Sequence, residues 1–216
     1  MKITGAIFDL DGTILDSMGI WENLGRDYLK LKGKIPREDL ADVLECKTLQ
    51  SAAEYFIEEY KINLTPKEII DEVNLMIKNY YIYKVKLKPY VIGFLKRLKK
   101  ENVHMCVATA SDKKLAEEAL LRCNVLNLFD DILTCQEMKC GKDKPKIYNE
   151  ALKKIGTKKN TTYVFEDALY AVTTAKKAGF KVVGVFEESE YLKQDEIKNI
   201  ADIYINSFKE MSKYLD

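Results

Sequence analysis

Asp9 and Asp11, one residue apart, close an apolar run in the stretch Ile7-Phe8-Asp9-Leu10-Asp11-Gly12-Thr13. Ile3, Ala6, Ile7 and Phe8 suit a buried strand, so both carboxylates fall at a strand end. Like charges that close repel one another. A divalent cation relieves the repulsion, and hard oxygen ligands suit magnesium. Gly12 lets the backbone turn sharply after the pair. The stretch therefore brings together a nucleophile, a proton carrier and ligands for a metal. Read alone, an Asp-x-Asp pair is more often a turn and a helix cap.

Three further groups are candidates. Thr109 follows the apolar Val107-Ala108 and precedes Ala110-Ser111-Asp112. Its hydroxyl and the backbone N–H groups from Ala110 onward suit phosphate oxygens. The plainer reading is a helix start, with Ser111 or Asp112 as N-cap. Lys142 sits in the loop Cys140-Gly141-Lys142-Asp143-Lys144-Pro145 and can neutralise charge on a transferring phosphoryl group. Lys144 and Lys146 compete with it, and most lysines are simply solvated. Glu166-Asp167 follow Val164-Phe165 with no turn residue between. Acidic residues also favour the first turn of a helix. Facing Asp9 and Asp11, these two would instead complete an all-oxygen magnesium site. The joint pattern is far more specific than any member.

The elements that position these residues alternate. Strands are expected near 103–108, 131–134, 162–165, 181–186 and 202–205. Helices are expected over 90–100, 113–122, 146–155 and 168–178, the last closed by Gly179. A short helix is expected after the last strand. Such alternation implies right-handed crossovers and a parallel sheet. Residues 17–86 read instead as helix after helix, with no strand. Their apolar stripes are Ile20, Trp21, Leu24, Tyr28; Leu40, Val43, Leu44; Ala52, Ala53, Phe56, Ile57, Tyr60; and Ile69 through Tyr80. Thr65, Pro66 and Glu68 spell an N-terminal capping box for the fourth of these helices. The expected architecture is an α/β, Rossmann-like parallel-sheet core from residues 1–16 and 87–216, with an inserted α-helical cap domain, residues 17–86. Ligands of open parallel sheets bind beyond the carboxyl ends of the strands, where all the candidates fall.

At 216 residues the chain can bury one large core plus a smaller lobe. A formal net charge of +1 gives no field that would favour nucleic acid or an acidic membrane. No apolar run reaches the roughly 20 residues of a membrane helix. Strand-like sequence begins almost at the first residue, so no signal peptide is expected. Cys46, Cys106, Cys123, Cys135 and Cys140 include no Cys-x-x-Cys pair, so neither a zinc site nor a disulfide framework follows. A reducing compartment fits best, and the expectation is a cytoplasmic monomer with no nucleic-acid or membrane partner. His104, the one histidine, lies within a strand, which argues against Ser-His and Cys-His triads. No Gly-x-x-x-x-Gly-Lys-Ser/Thr loop is present.

Taken together, these motifs resemble those of the haloacid dehalogenase superfamily, in particular its β-phosphoglucomutase-like phosphatases with a helical cap. Asp9-Leu10-Asp11-Gly12-Thr13 is similar to the first family motif and Thr109 to the second. Gly141-Lys142 with Lys146-Ile147-Tyr148 is similar to the third, and Phe165-Glu166-Asp167, leading to Ala178-Gly179, to the fourth. The resemblance implies magnesium held by Asp9, Asp11, Glu166 and Asp167, with Asp11 contributing its backbone carbonyl. It implies Asp9 as nucleophile and Asp11 as general acid and base. Thr109, Ala110 and Lys142 then bind phosphate, and the cap excludes bulk water. Trp21 and the segment near Lys47 are candidates to meet substrate. Departures are Asp143 for a usual proline, Lys146 for a usual aspartate, and Ala168 and Ala171 for a usual serine and glycine. Mutase members carry a histidine near the position of Trp21 and a Lys-Gly-x-Ser-Arg segment where this chain has Glu45-Cys46-Lys47-Thr48-Leu49. A phosphomutase is thus the alternative to a phosphatase. A phospho-accepting signalling module is the more remote one, since receivers lack the N-terminal Asp-x-Asp and the long helical insertion.

Overall fold

A computed structural model describes residues 2–45 and 47–215 of the chain. In chain order the elements begin with β1 (Gly5–Phe8), β2 (Leu15–Asp16), α1 (Met18–Leu31), α2 (Leu40–Glu45), α3 (Leu49–Tyr60) and α4 (Pro66–Tyr83). They continue with β3 (Lys86–Leu87), α5 (Val91–Lys100), β4 (His104–Thr109), α6 (Lys113–Arg122), β5 (Asp131–Thr134) and α7 (Cys135–Met138). The remainder is α8 (Lys146–Ile155), β6 (Thr162–Glu166), α9 (Leu169–Lys177), β7 (Lys181–Val185), α10 (Gln194–Ile200) and β8 (Ile203–Ile205). A short 3₁₀ helix, Phe208–Tyr214, follows. The chain forms two compact units, one from Met1–Asp16 with Val85–Asp216 and the other from Ser17–Lys84.

The larger unit is built on a six-stranded sheet in the order β5-β4-β1-β6-β7-β8, every pairing parallel. β1 is fully buried and takes a central place, Phe8 opposite Val107 on one side and Phe165 on the other. Helices on both faces explain why the strands read as unbroken apolar runs. On one face α8 lays Ile147, Tyr148, Ala151 and Ile155 against Ile7, Cys106 and Val164. Elsewhere Phe8 stacks on Phe165 at 4.5 Å between ring centroids, with Phe94 and Phe129 edge-on to it. Each such large side chain removed from water contributes about 1.5–3 kcal/mol.

Several features depart from the sequence reading, among them the four-residue α7 directly after β5. Lys86–Leu87 pairs antiparallel with Leu15–Asp16, a two-residue ladder that carries no periodicity to read. Gln194–Ile200 is helical, although its polar sequence carries just two isoleucines, of which Ile197 is fully buried.

The smaller unit holds α1 to α4. Thr65 and Glu68 form the capping box of α4: Glu68 N donates to Thr65 Oγ1, and Thr65 N donates to Glu68 Oε2 at 2.7 Å. Tyr28 and Leu29 carry the buried face of α1, and Tyr28 stacks on Phe56 of α3 at 5.7 Å. The Tyr28 hydroxyl and Lys32 both donate to Glu72, each at 2.7 Å, tying α1 to α4. Trp21 is 42 % exposed rather than part of the buried stripe. It lines a cleft of about 700 Å³ with Glu22, Arg26, Leu40 and Leu44. Lys47 stands over the Tyr55 ring, and Cys46 lies outside the described residues. Among the described residues, no helix is long and apolar enough to cross a membrane.

Candidate active site

β1, β4 and β6 are neighbours and parallel, so their carboxyl ends lie side by side. Asp9 extends the ladder by one bond, its N–H donating to Phe165 O at 2.9 Å, which sets it beside Glu166. The chain then turns through a tight loop: Ile14 N and Leu15 N both donate to Leu10 O, and Gly12 N donates to Leu15 O. Gly12 adopts φ +81°, a conformation that a side chain would strain.

Carboxylate oxygens of Asp9, Glu166 and Asp167 lie within 4.8 Å of one another, and all three residues are buried. The Lys142 ammonium reaches into the group from the loop before α8. It donates to Asp9 Oδ1 and, at 2.7 Å, to Glu166 Oε1, and is itself 4 % exposed. Tyr148, the third residue of α8, donates its hydroxyl to the same Glu166 oxygen at 2.7 Å. Thr13 Oγ1 donates to Asp167 Oδ1 at 2.8 Å, so the loop after β1 also braces the end of β6.

The electrostatics follow from burying three carboxylates with one ammonium. Burial raises the Glu166 pKa to about 7, partly offset by Lys142 and pushed further by Asp9. Burial also raises Asp9, against the pull of Lys142, and raises Asp167 well above the usual range, aided by Asp9 and Glu166. Burial opposes the Lys142 charge, yet the Asp9 and Glu166 carboxylates overcome it and hold its pKa above the usual value. A pocket of oxygens carrying more negative charge than its one lysine balances suits a hard divalent cation.

The other candidates flank this group. Thr109 is fully buried at the end of β4, and its Oγ1 accepts the Ser111 N–H at 3.0 Å. That bond occupies a lone pair, so the hydroxyl proton remains a donor. Ala110, the next residue, is exposed. Asp112 caps α6 by accepting from Lys114 N and Leu115 N. Ser111 is therefore not needed as the cap, and its hydroxyl donates to Asp11 Oδ2. The Asp11 side chain is not among the three clustered carboxylates. Lys146 donates to Met138 O, away from the carboxylates. His104 stands at the opposite end of β4, its ring against Asp130.

Sequence reasoning passed over Tyr148, Ser111 and Thr13 as partners of the acids. Tyr148 figured only within the Lys146-Ile147-Tyr148 stretch similar to the third family motif, since its contact with Glu166 depends on how α8 packs on β6. Ser111 offered one signal, its redundancy beside Asp112.

Residues 6–185 match the family model described as haloacid dehalogenase-like hydrolase. Among curated relatives, a phosphorylated carbohydrates phosphatase of Thermotoga maritima is 25 % identical over 83 % of this chain and 83 % of its own length. A fructose-1-phosphate phosphatase of Escherichia coli is 25 % identical over 85 % of this chain and 97 % of its own. A crystal structure from Thermotoga maritima, provisionally assigned as a beta-phosphoglucomutase, superposes with a TM-score of 0.85 at 23 % identity, covering 99 % of this chain and all of that one. CbbY of Rhodobacter sphaeroides, crystallised with phosphate, superposes at 0.73 and 20 % identity over 97 % and 96 % of the two chains.

Proposed function

The chain belongs to the haloacid dehalogenase-like hydrolases, and we propose that it is a magnesium-dependent phosphatase of a small phosphorylated metabolite, working through a phosphorylated Asp9. One observation carries the reading: Asp9, Glu166 and Asp167 are buried together around the Lys142 ammonium at the carboxyl edge of the sheet. Structural placement alone would waste free energy there, because removing charges from water costs more than one lysine returns.

Asp9, Glu166 and Asp167 would hold the cation by their side chains, with Asp11 adding its backbone carbonyl. When bound, magnesium supplies positive charge that offsets the phosphoryl oxygens. Asp9 attacks phosphorus, forming the Asp9–phosphorus bond as the bond to the leaving oxygen breaks. Asp11 gives its proton to that oxygen. It then takes a proton from the water that attacks the same phosphorus, releasing inorganic phosphate and restoring the Asp9 carboxylate. Lys142, the Thr109 hydroxyl and the backbone N–H of Ala110 stabilise charge on the transferring group. Tyr148 and Thr13 hold Glu166 and Asp167 in place.

The names of the curated relatives point to the substrate class. A phosphorylated carbohydrate and fructose 1-phosphate share a phosphate monoester on a small polyhydroxylated carbon skeleton. We assign this chain the same class. The test is phosphate release from a panel of sugar and polyol phosphates with magnesium or with a chelator. Release from at least one monoester, lost on chelation, is expected. No release from any, or equal release in chelator, would overturn the proposal.

A further inference from the structure

We propose that Cys135 and Cys140 form a reversible disulfide that gates the loop carrying Lys142. α7 is four residues long and ends in a Schellman turn. Lys139 takes the left-handed conformation at φ +54°, Cys140 N donates to Cys135 O, and Lys139 N donates to Gln136 O, both at 3.2 Å. A side-chain contact between its first and sixth residues frequently accompanies that motif. Here those residues are both cysteines, and both are half-buried thiols. A disulfide needs Cα atoms within about 7 Å, and a direct main-chain hydrogen bond spans no more than that. Lysine stands at the left-handed position that glycine usually takes, so this turn is held rather than relaxed into.

The pair adjoins the reaction centre. Cys140 is separated from Lys142 by Gly141 alone. Burial raises the Cys135 thiol pKa; Lys142 pulls it back, and charge on Cys140 pushes it up further. Those influences put both groups within electrostatic reach of Cys135. By contrast, Cys106 is fully buried in the sheet and burial lifts its pKa to about 12, so it stays inert.

The oxidant is a peroxide. The Cys140 thiolate attacks one peroxide oxygen, giving a sulfenic acid and, for hydrogen peroxide, hydroxide. The Cys135 sulfur then attacks the Cys140 sulfur, the S–S bond forms, and the second oxygen leaves as water. Two thiols and one hydrogen peroxide thus give one disulfide and two waters. Closing the ring draws the two sulfurs in to about 2 Å, and the proposed gating is that Cys140, drawn toward Cys135, turns Gly141 and the start of the segment that aims Lys142 at Asp9 and Glu166.

Trypsin provides the test, because Lys139 lies between the two cysteines. Cleavage there and after Arg122 and Lys142 separates residues 123–139 from Cys140-Gly141-Lys142. After hydrogen peroxide treatment of the full chain, mass spectrometry should find these two peptides joined and find them separated by a reductant. The join should persist in Cys123→Ser and vanish in Cys135→Ser and Cys140→Ser. Unjoined peptides, or a join that depends on Cys123, would overturn the proposal. The gating half rests on the phosphatase reading. Peroxide should lower phosphate release by about tenfold to a hundredfold, the cost of a misplaced catalytic group. Reductant should restore it, and both serine variants should resist the loss. A joined peptide with undiminished turnover would refute gating. A joined peptide in a chain that hydrolyses no phosphate monoester would refute the phosphatase reading and leave the disulfide standing.

Discussion

The Ser111 hydroxyl donates to Asp11 Oδ2 at 2.5 Å, linking the loop after β1 to the loop after β4. The bond fixes the direction of a carboxylate whose proposed work is to give and take a proton. Replacing Ser111 by alanine leaves the cap of α6 intact, since Asp112 makes it. Ser111→Ala should therefore fold normally. It should slow hydrolysis of alkyl phosphates about tenfold or more, within the range that positioned acid–base groups supply. An aryl phosphate with a stable phenolate leaving group should suffer less, because its departure needs no proton. Equal losses on both substrates would assign Ser111 a purely structural part.

Lys142→Met should abolish most turnover, by about a hundredfold or more, the scale of losing a preorganised charge-stabilising donor. It should also reveal the stored repulsion of the site. Removing one partner of a buried ionic group costs about 3–5 kcal/mol. Without metal, the variant should melt well below the parent chain. Magnesium should recover more of that loss in the variant than it adds to the parent. Thermal melts with and without magnesium measure both effects.

Magnesium should raise the melting temperature of the unaltered chain as well. A ligand at a hundred times its dissociation constant stabilises by about 2.7 kcal/mol. Glu166→Gln removes one charged ligand and should weaken the effect. A melting temperature indifferent to magnesium would remove the metal from the account.

Much of this site was legible because its acids sit at strand ends, and strand ends follow from the apolar runs before them. Val164-Phe165 announces Glu166 as Ile7-Phe8 announces Asp9, and the central place of β1 brings the two ends together. Thr65, Pro66 and Glu68 likewise spelled their helix start in three residues. Illegible features depended on distance in space. Tyr148 meets Glu166 through the packing of a helix on a sheet, and two-residue strands such as Lys86–Leu87 are too short for any period. Trp21 looked like part of a buried stripe because helical spacing does not tell which edge of a face meets water.

Tyr148→Phe isolates one such tertiary contact. The ring keeps its place in the core and its edge-on contact with Phe180, while the hydroxyl bond to Glu166 is lost. A hydrogen bond to a charged group is worth about 1.5–3 kcal/mol, a value that applies above a pH of about 7, where Glu166 is ionised. Chemical denaturation should show a loss of that order in metal-free protein, at unchanged slope.

Acid should weaken the sheet at both flanks. Asp130 and Asp202 are pushed up by burial, but other bonds prevail and hold both below the usual aspartate value. For Asp130 these come from His104 and the Met105 N–H, and for Asp202 from Lys176 and the Val182 N–H. A depressed folded pKa gives stability that is present in full above the unfolded value and is lost as pH falls through the folded one. Asp202→Asn should accordingly be less stable than the parent chain at neutral pH. The difference should shrink as pH drops below 3.8. A difference that stays constant across that window would assign the loss to something other than the charge.

The central claim is that Asp9 itself carries the phosphoryl group, and it is tested by quenching the working enzyme in acid and mapping its peptides by mass. The account predicts one added phosphoryl group on Asp9 during turnover, absent from Asp9→Asn, which should release no phosphate. Full phosphate release by Asp9→Asn, or a phosphoryl group found on another residue, would contradict it.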